Sequence, residues 1–212
     1  MYRYPRRSAK PLEILQVNVG RGATAHDIAL ALADNARIEV LLIQEPYISR
    51  DRTRKITKAH PMYETFTPLD TWTTRPRVMT YTRKGTGLKT TQLRPCSSRD
   101  LLFLQIQRSN GPTLTITNIY NAPQGGTDAG EAVDLLMELP TSLWRSTLIA
   151  GDLNLHHPHW NLAKHNPSPK ANAFVSWLDG NNFFFTSEVG KPTHRDGNRS
   201  EEHTSELQSP RL

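Results

Sequence analysis

The 212-residue sequence predicts a layered α/β domain with mixed sheets, on three observations. Short apolar, β-rich runs are interleaved with amphipathic helical stretches. Two of the runs are joined by the turn signal "SNGPT" (Ser109 to Thr113), so hairpins coexist with crossovers. At 36% hydrophobic content the chain has enough apolar residues for a sizeable core. A uniformly alternating parallel sheet would lack the hairpins, so mixed sheets in layers are the better expectation.

The elements follow in order. "LEILQVNV" reads as the first strand, and "RGATAHDIALALADNA" as a helix with Ile28 and Leu32 as an i, i+4 apolar pair. Thr24 and Asp27 stand at capping-box spacing at its start. "IEVLLIQ" is a short, fully apolar strand, and "VMTYT", "LLFLQIQ" and "TLTITNIY" are β-rich. A helix over about 128–139, the strand "TLIAG", a helix over about 171–178 and the strand "FFFT" complete the series.

Composition narrows the function classes. The single Cys96 permits no internal disulfide, and no run reaches the roughly 18 apolar residues of a membrane span. The start "MYRYPRRSAK" is basic, but the polar residues of "LEILQVNVG" spoil it as a secretory signal, so an intracellular location is expected. The formal net charge is +6, and it is unevenly distributed. Between Asp70 and Asp100 lie Arg75, Arg77, Arg83, Lys84, Lys89, Arg94 and Arg99 with no acid among them, and "RDRTRKITK" (Arg50 to Lys58) adds a second cluster. Such stretches suit a polyanion such as nucleic acid, although a solvated basic surface reads the same way.

The polar residues that end the strands carry the chemistry. Asn18 follows the first strand, Gln44 and Glu45 follow "IEVLLI", Asn118 and Tyr120 close "TITNIY", and Asp152 and Asn154 follow "TLIAG". Strand ends are where α/β folds assemble sites, though each residue alone is also an ordinary turn former. Glu45 is a hard oxygen ligand suited to Mg²⁺, with Mn²⁺ as the alternative. Asp152 is placed to take a proton from an attacking water, and Asn154 shares its side if the backbone stays extended. Asn18 and Tyr120 supply neutral groups that orient ligands and stabilise charge on a phosphoryl oxygen. The set suits metal-assisted phosphoester hydrolysis. His156, His157 and His159 on "LHHPHW" also offer imidazoles, but an irregular loop interrupted by Pro158 is a poor frame for a tetrahedral zinc site.

"LQVNVGRG", "LLIQEPY", "TNIYNAP" and "IAGDLNLHHPHW" together resemble the successive motifs of the endonuclease/exonuclease/phosphatase superfamily. The likeness is closest to the apurinic-endonuclease-like domain of non-LTR retrotransposons. It covers about 12–198, after a basic N-terminal extension over 1–11. The resemblance implies a four-layer α/β sandwich, two mixed sheets flanked by helices, and a Mg²⁺-dependent DNA nickase that primes reverse transcription. It further implies fusion to a downstream reverse transcriptase and, for a working element, a nuclear location. By this likeness Glu45 is the metal ligand, Asp152 activates or orients water, Asn154 partners it at the phosphate, Asn18 supports the metal and Tyr120 contacts the scissile phosphate. Asn118, His156 and Thr193 of "GKPTH" fall among the substrate contacts.

The sequence departs from the family pattern at two places. Gly20 stands where some relatives carry an acid, and the closing Asp-bearing strand and Ser-Asp-His motif are not found. "RSEEHTSELQS" (Arg199 to Ser209) looks instead like the translation of a sequencing-library adapter, so 199–212 is set aside as a non-native tail. Without the final strands the chain is expected to expose a sheet edge and to be a poor nuclease or none. Two other readings stay open: a phosphatase of the same fold acting on a small phosphorylated molecule, and a catalytically silent DNA-binding fragment.

Overall fold

"LEILQVNV" and "IEVLLIQ" form β1 (Ile14–Asn18) and β2 (Val40–Gln44) of the computed structural model. It describes residues 11–49, 56–68, 74–108, 111–123, 131–161, 166–186, 194–196, 199–201 and 204–208. The two strands run parallel, with Asn18 opposite Gln44, and a parallel pair needs a crossover. Helix α1 (Ala23–Asn35) supplies it. The face that α1 buries differs from the one expected: His26, Ala29, Leu30 and Ala33 point inward, whereas Ile28 and Leu32 stay 53% and 57% exposed. Gly22 occupies the N-cap with no side-chain cap bond, so the Thr24/Asp27 capping box does not form. Small residues at 29 and 33 let the helix lie close on the sheet, and this contact overrides the larger apolar pair.

β3 (Tyr63–Phe66) and β5 (Leu88–Leu93) escaped the sequence reading. The pattern of β5 alternates half-buried and exposed positions with only two apolar residues, too weak a signal to stand out. β4 (Val78–Arg83), β6 (Leu101–Arg108) and β7 (Thr113–Tyr120) match "VMTYT", "LLFLQIQ" and "TLTITNIY". Beyond them come α2 (Ala132–Glu138), a 3₁₀ turn at Thr141–Trp144, β8 (Thr147–Asp152), α3 (Pro169–Gly180) and β9 (Phe184–Phe185). Ser168 caps α3 by accepting the Ala171 N–H at 3.2 Å, with Pro169 in the first turn where its missing N–H costs nothing. Three short strands follow: β10 (His194–Asp196), β11 (Arg199–Glu201) and β12 (Thr204–Gln208).

The strands build a four-stranded sheet in the order β1-β2-β4-β3 and a six-stranded sheet in the order β5-β6-β7-β8-β12-β9, with β10 and β11 as a separate hairpin. Both large sheets are mixed: β1–β2 and β7–β8 are parallel, the other pairs antiparallel. Alternation along the strands then creates three cores. Val40, Leu42 and Val78 of the first sheet meet Leu104, Ile116 and Ala150 of the second between the sheets. Leu41, Ile43, Met79 and Tyr81 face outward onto Ala29, Leu30 and Ala33 of α1. Phe103, Ile119 and Ile149 pack under Val133 and Leu136 of α2 and Phe174 and Leu178 of α3. Helix, sheet, sheet and helices therefore stack as the expected four-layer sandwich. Each fully buried Leu or Ile in these layers contributes roughly 2 kcal/mol.

The expectation of an exposed sheet edge is overturned. Thr204–Gln208, part of the segment set aside as a tail, forms β12 and pairs antiparallel with β8 on one side and β9 on the other. No open edge is left along β8 from Leu148 to Asp152. Strand pairing is made by backbone N–H and C=O groups, so an extended segment without proline can fill an open lane even when its side chains carry no apolar pattern. Among the described residues, no helix is long and apolar enough to cross a membrane.

Candidate active site

β1, β2, β7 and β8 all end on the same side of the sandwich, because each belongs to a parallel pair and the two sheets are stacked with those ends together. Asn18 is the last residue of β1, Glu45 the first beyond β2, and Tyr120 and Asp152 the last of β7 and β8, paired in register. The Asn18 amide Nδ2 donates to Asp152 Oδ2 at 3.0 Å across a separation of 134 residues. Its Oδ1 accepts the Gly20 N–H at 2.9 Å, so the orientation of the amide is fixed from both ends. Asp152, 9% exposed, receives a second donor on Oδ1 from the Asn154 N–H at 3.1 Å. Both oxygens thus accept N–H groups, an arrangement that favours the ionised, proton-accepting form.

Tyr120 lies between the two acids. Burial, together with the charge of Glu45, a hydrogen bond to Glu45 and the charge of Asp152, pushes its phenol up to about 12, against a smaller opposing effect of Arg77. The hydroxyl is therefore protonated across the physiological range and acts as a neutral donor. The Arg77 guanidinium stands 5.3 Å from the centroid of the Tyr120 ring and is itself gripped in a bidentate pair with Asp100.

Glu45 adopts a left-handed backbone, φ 47°. Its N–H donates to Arg77 O at 2.8 Å and its C=O accepts from Arg21 N at 2.7 Å, so the turn is pinned on both sides. Its carboxylate Oε1 accepts from Arg21 Nε at 3.0 Å. Hard oxygen donors from two carboxylates, with an amide nearby, fit Mg²⁺, which takes one or two protein carboxylates and keeps several waters. Among the described residues no three His, Cys, Asp or Glu side chains gather as a metal-ligand group. His157 and His159 meet edge to face at 4.5 Å, and His157 Nδ1 accepts the His159 N–H at 3.1 Å, so the cluster is locally structural.

Asn118 and Asn154 are placed otherwise than expected. Asn118 is fully buried between the sheets: its Oδ1 accepts from Gln44 Nε2 at 2.6 Å, and its Nδ2 donates to Met79 O at 2.9 Å. It ties one sheet to the other, one inward-facing position deeper on β7 than Tyr120. Asn154 does not share a face with Asp152 through extended backbone. β8 stops at Asp152, Asn154 turns left-handed at φ 45°, and its side chain donates to Asn121 O at 2.8 Å. Its contribution at Asp152 is therefore a backbone N–H. His156 is half-buried on the loop leaving β8, and Thr193 lies outside the described residues.

Two positioning residues were not singled out. Asn121 is buried, accepts the Val133 N–H at 3.4 Å and donates from Nδ2 to Leu153 O at 2.9 Å, holding the loop that carries Asp152 and Asn154. Its place in "TNIYNAP", directly after Tyr120, was the available signal. Arg77 was counted among surface cations, although only 9% of it is exposed.

Residues 114–205 match a family model described as endonuclease-reverse transcriptase. No curated protein sequence matches the chain. Among solved structures, the endonuclease domain of TRAS1, a telomere-specific non-LTR retrotransposon, superposes with a TM-score of 0.73 at 15% identity, covering 94% of this chain and 85% of that one. The AP endonuclease LMAP from Leishmania major gives 0.64 at 14% identity, covering 94% and 79%. A mannosyl-6-phosphatase of Bacteroides thetaiotaomicron gives 0.60 at 14%, covering 94% and 86%. The sequence match is thus confined to 114–205, while the four-layer sandwich is the fold that the whole chain shares with these nuclease and phosphatase structures.

Proposed function

We propose that this domain is the DNA-nicking endonuclease of a non-LTR retrotransposon, hydrolysing a phosphodiester with Mg²⁺ held at Glu45. The observation that carries the reading is the cross-sheet bond from Asn18 to Asp152, with Tyr120 set between Asp152 and Glu45. Four residues far apart in sequence converge at one end of the sandwich, and each has a task in phosphoester hydrolysis. Asp152, held by two N–H donors, accepts the proton of the attacking water. The Asn18 amide keeps that carboxylate oriented. Tyr120, a neutral phenol, donates to an oxygen of the phosphate as negative charge grows on it. When bound, Mg²⁺ supplies Lewis-acid stabilisation of the same charge. His156 and Thr193 remain candidate substrate contacts.

The likeness to the TRAS1 endonuclease domain and the endonuclease-reverse transcriptase model support DNA as substrate and a reverse transcriptase as the fused partner, and a place of work in the nucleus is part of the same proposal. On this reading 12–198 is the catalytic domain and 199–212 an appended segment that fills a strand position. The sequence holds no Ser-Asp-His, so the imidazole of that motif is not supplied, and nicking by the chain as written is expected to be slow. The likeness to a mannosyl-6-phosphatase favours one second reading, hydrolysis of a small phosphomonoester.

Nicking of supercoiled plasmid with and without EDTA, beside turnover of a small phosphomonoester, tests the proposal. Asp152→Asn should lower nicking by ~10²- to 10⁴-fold while duplex binding persists, and Glu45→Gln should raise the Mg²⁺ concentration needed. Near-normal turnover in Asp152→Asn removes the role given to that carboxylate, and phosphomonoester cleavage without nicking favours the phosphatase.

A further inference from the structure

Beside the reaction centre lies a cavity of about 500 Å³ that includes Arg21, Arg75, Arg77 and Arg99 around Glu45, with Tyr47 on its wall. The segments that bear these arginines are fastened to one another by backbone bonds. Arg21 N donates to Glu45 O at 2.7 Å, Glu45 N to Arg77 O at 2.8 Å and Arg77 N to Arg99 O at 2.8 Å. The guanidinium groups are thus brought together by the fold and not by chance placement on a loop surface. Arg21 pairs with Glu45 and Arg77 with Asp100. Arg75 is exposed and makes no ion pair among the described residues.

We propose that this cavity is a binding site for a backbone phosphate of the DNA, flanking the phosphate that is cut, with Arg75 as its principal contact. The proposal rests on the endonuclease reading for its occupant, not for its chemistry. A pocket of this volume exceeds a lone anion and suits a sugar-phosphate unit. Proline and tyrosine surfaces from Pro46, Tyr47 and Pro76 suit the deoxyribose, while guanidinium groups match phosphate oxygens in geometry and charge. Glu45 is shared between the cavity and the reaction centre, and Arg77 stacks on Tyr120, so the cavity adjoins that centre without including Asp152 or Asn18. The site fixes the strand's register by a contact that carries no base information.

The test compares Arg75→Glu with Lys89→Glu, an equal charge change on an exposed residue of β5. Lys89 pairs with Gln107, which faces Thr113, so it lies at the far end of the sheet, roughly 20 Å from Tyr120 by strand rise. Binding of a 20-base-pair duplex is followed in EDTA from ~50 to ~200 mM salt, where each phosphate contact contributes close to one unit of log–log slope. Arg75→Glu should lower affinity about tenfold or more and flatten the slope by about one, whereas Lys89→Glu should do neither. Equal behaviour of the two variants overturns the proposal. Inorganic phosphate, titrated while the arginine side-chain Nε–Hε signals are observed by NMR, separates the two ideas. If wild type shows salt-independent duplex binding but phosphate shifts that vanish in Arg75→Ala, the endonuclease reading falls and the anion site stands. If phosphate moves no arginine signal and Arg75→Glu keeps the wild-type slope, the site falls while plasmid nicking can still stand.

Discussion

Asn118 and Tyr120 face the same way on β7, two residues or about 7 Å apart, and that one step separates a structural amide from a site phenol. Asn118 is enclosed by Gln44 and the Met79 carbonyl, whereas Tyr120 opens onto Glu45 and Asp152. Gln44, the last residue of β2, is likewise buried, whereas Glu45, the first beyond it, turns left-handed and reaches the site. Directly beside them, Gly151 faces Ile119 with φ 151°, and a Cβ there would stand 1.9 Å from the Ile119 carbonyl oxygen. The obstacle is backbone, so it cannot rotate away. Gly151→Ala should therefore force β7 and β8 apart at a cost of about 3 kcal/mol or more, read by urea denaturation. Because Tyr120 and Asp152 are the next pair along, nicking should fall further than the loss of folded protein explains.

At the scale of elements, α1 carries a buried histidine whose ionisation is linked to folding. His26 Nδ1 accepts the Tyr47 N–H at 3.2 Å, and Tyr81 OH donates to Lys58 O at 2.7 Å, so Nε2–H of His26 must donate to the Tyr81 oxygen 2.9 Å away. Burial, opposed by Asp27 and aided by Lys58, pulls the imidazole down from 6.5 to about 4. The unfolded chain then binds the extra proton first as acidity rises. The stabilisation is complete above pH 6.5, is lost as pH falls toward 4, and amounts to roughly 3 kcal/mol. Urea midpoints measured at pH 7 and pH 4.5 should differ accordingly, and His26→Gln should shrink the difference. Strand β12 is the second element with a consequence. It satisfies the backbone of β8 from Leu148 to Asp152, so removal of 199–212 should uncover that edge. A melting temperature lower by roughly 5 °C, with concentration-dependent aggregation, is the expected result by calorimetry and light scattering.

The whole molecule shows what kind of information the sequence carried. Apolar periodicity located most of the strands and the layered class, because buried strands such as "VLLIQ" and "TLIAG" have few other uses. Asn18, Glu45, Tyr120 and Asp152 were legible because polar residues that close buried strands are conspicuous. Depth was not legible: nothing in "TITNIY" says that Asn118 stops one rung short of the site. Nor did charge declare its environment, since Arg77 and Arg83 sit in an acid-free stretch yet pair with Asp100 and Asp34 from elsewhere in the chain. β12 was missed because its pairing depends on backbone geometry and not on side-chain pattern.

The bond from Asn18 to Asp152 joins the two sheets at their rims, and it has a meaning for the life of the polypeptide. Glu45 and Asn18 belong to the first sheet, Tyr120 and Asp152 to the second, so neither sheet alone owns a cutting centre. If the domain is the endonuclease proposed above, a chain released half-finished, or one whose sheets have slid apart, would leave the DNA around it uncut. The fold would then act as a safety catch on a reaction that is dangerous in a partly formed protein. Fragments divided in the turn between β4 and β5 should be silent separately, and any nicking regained on mixing them should rise in step with the fraction of fragments that have docked.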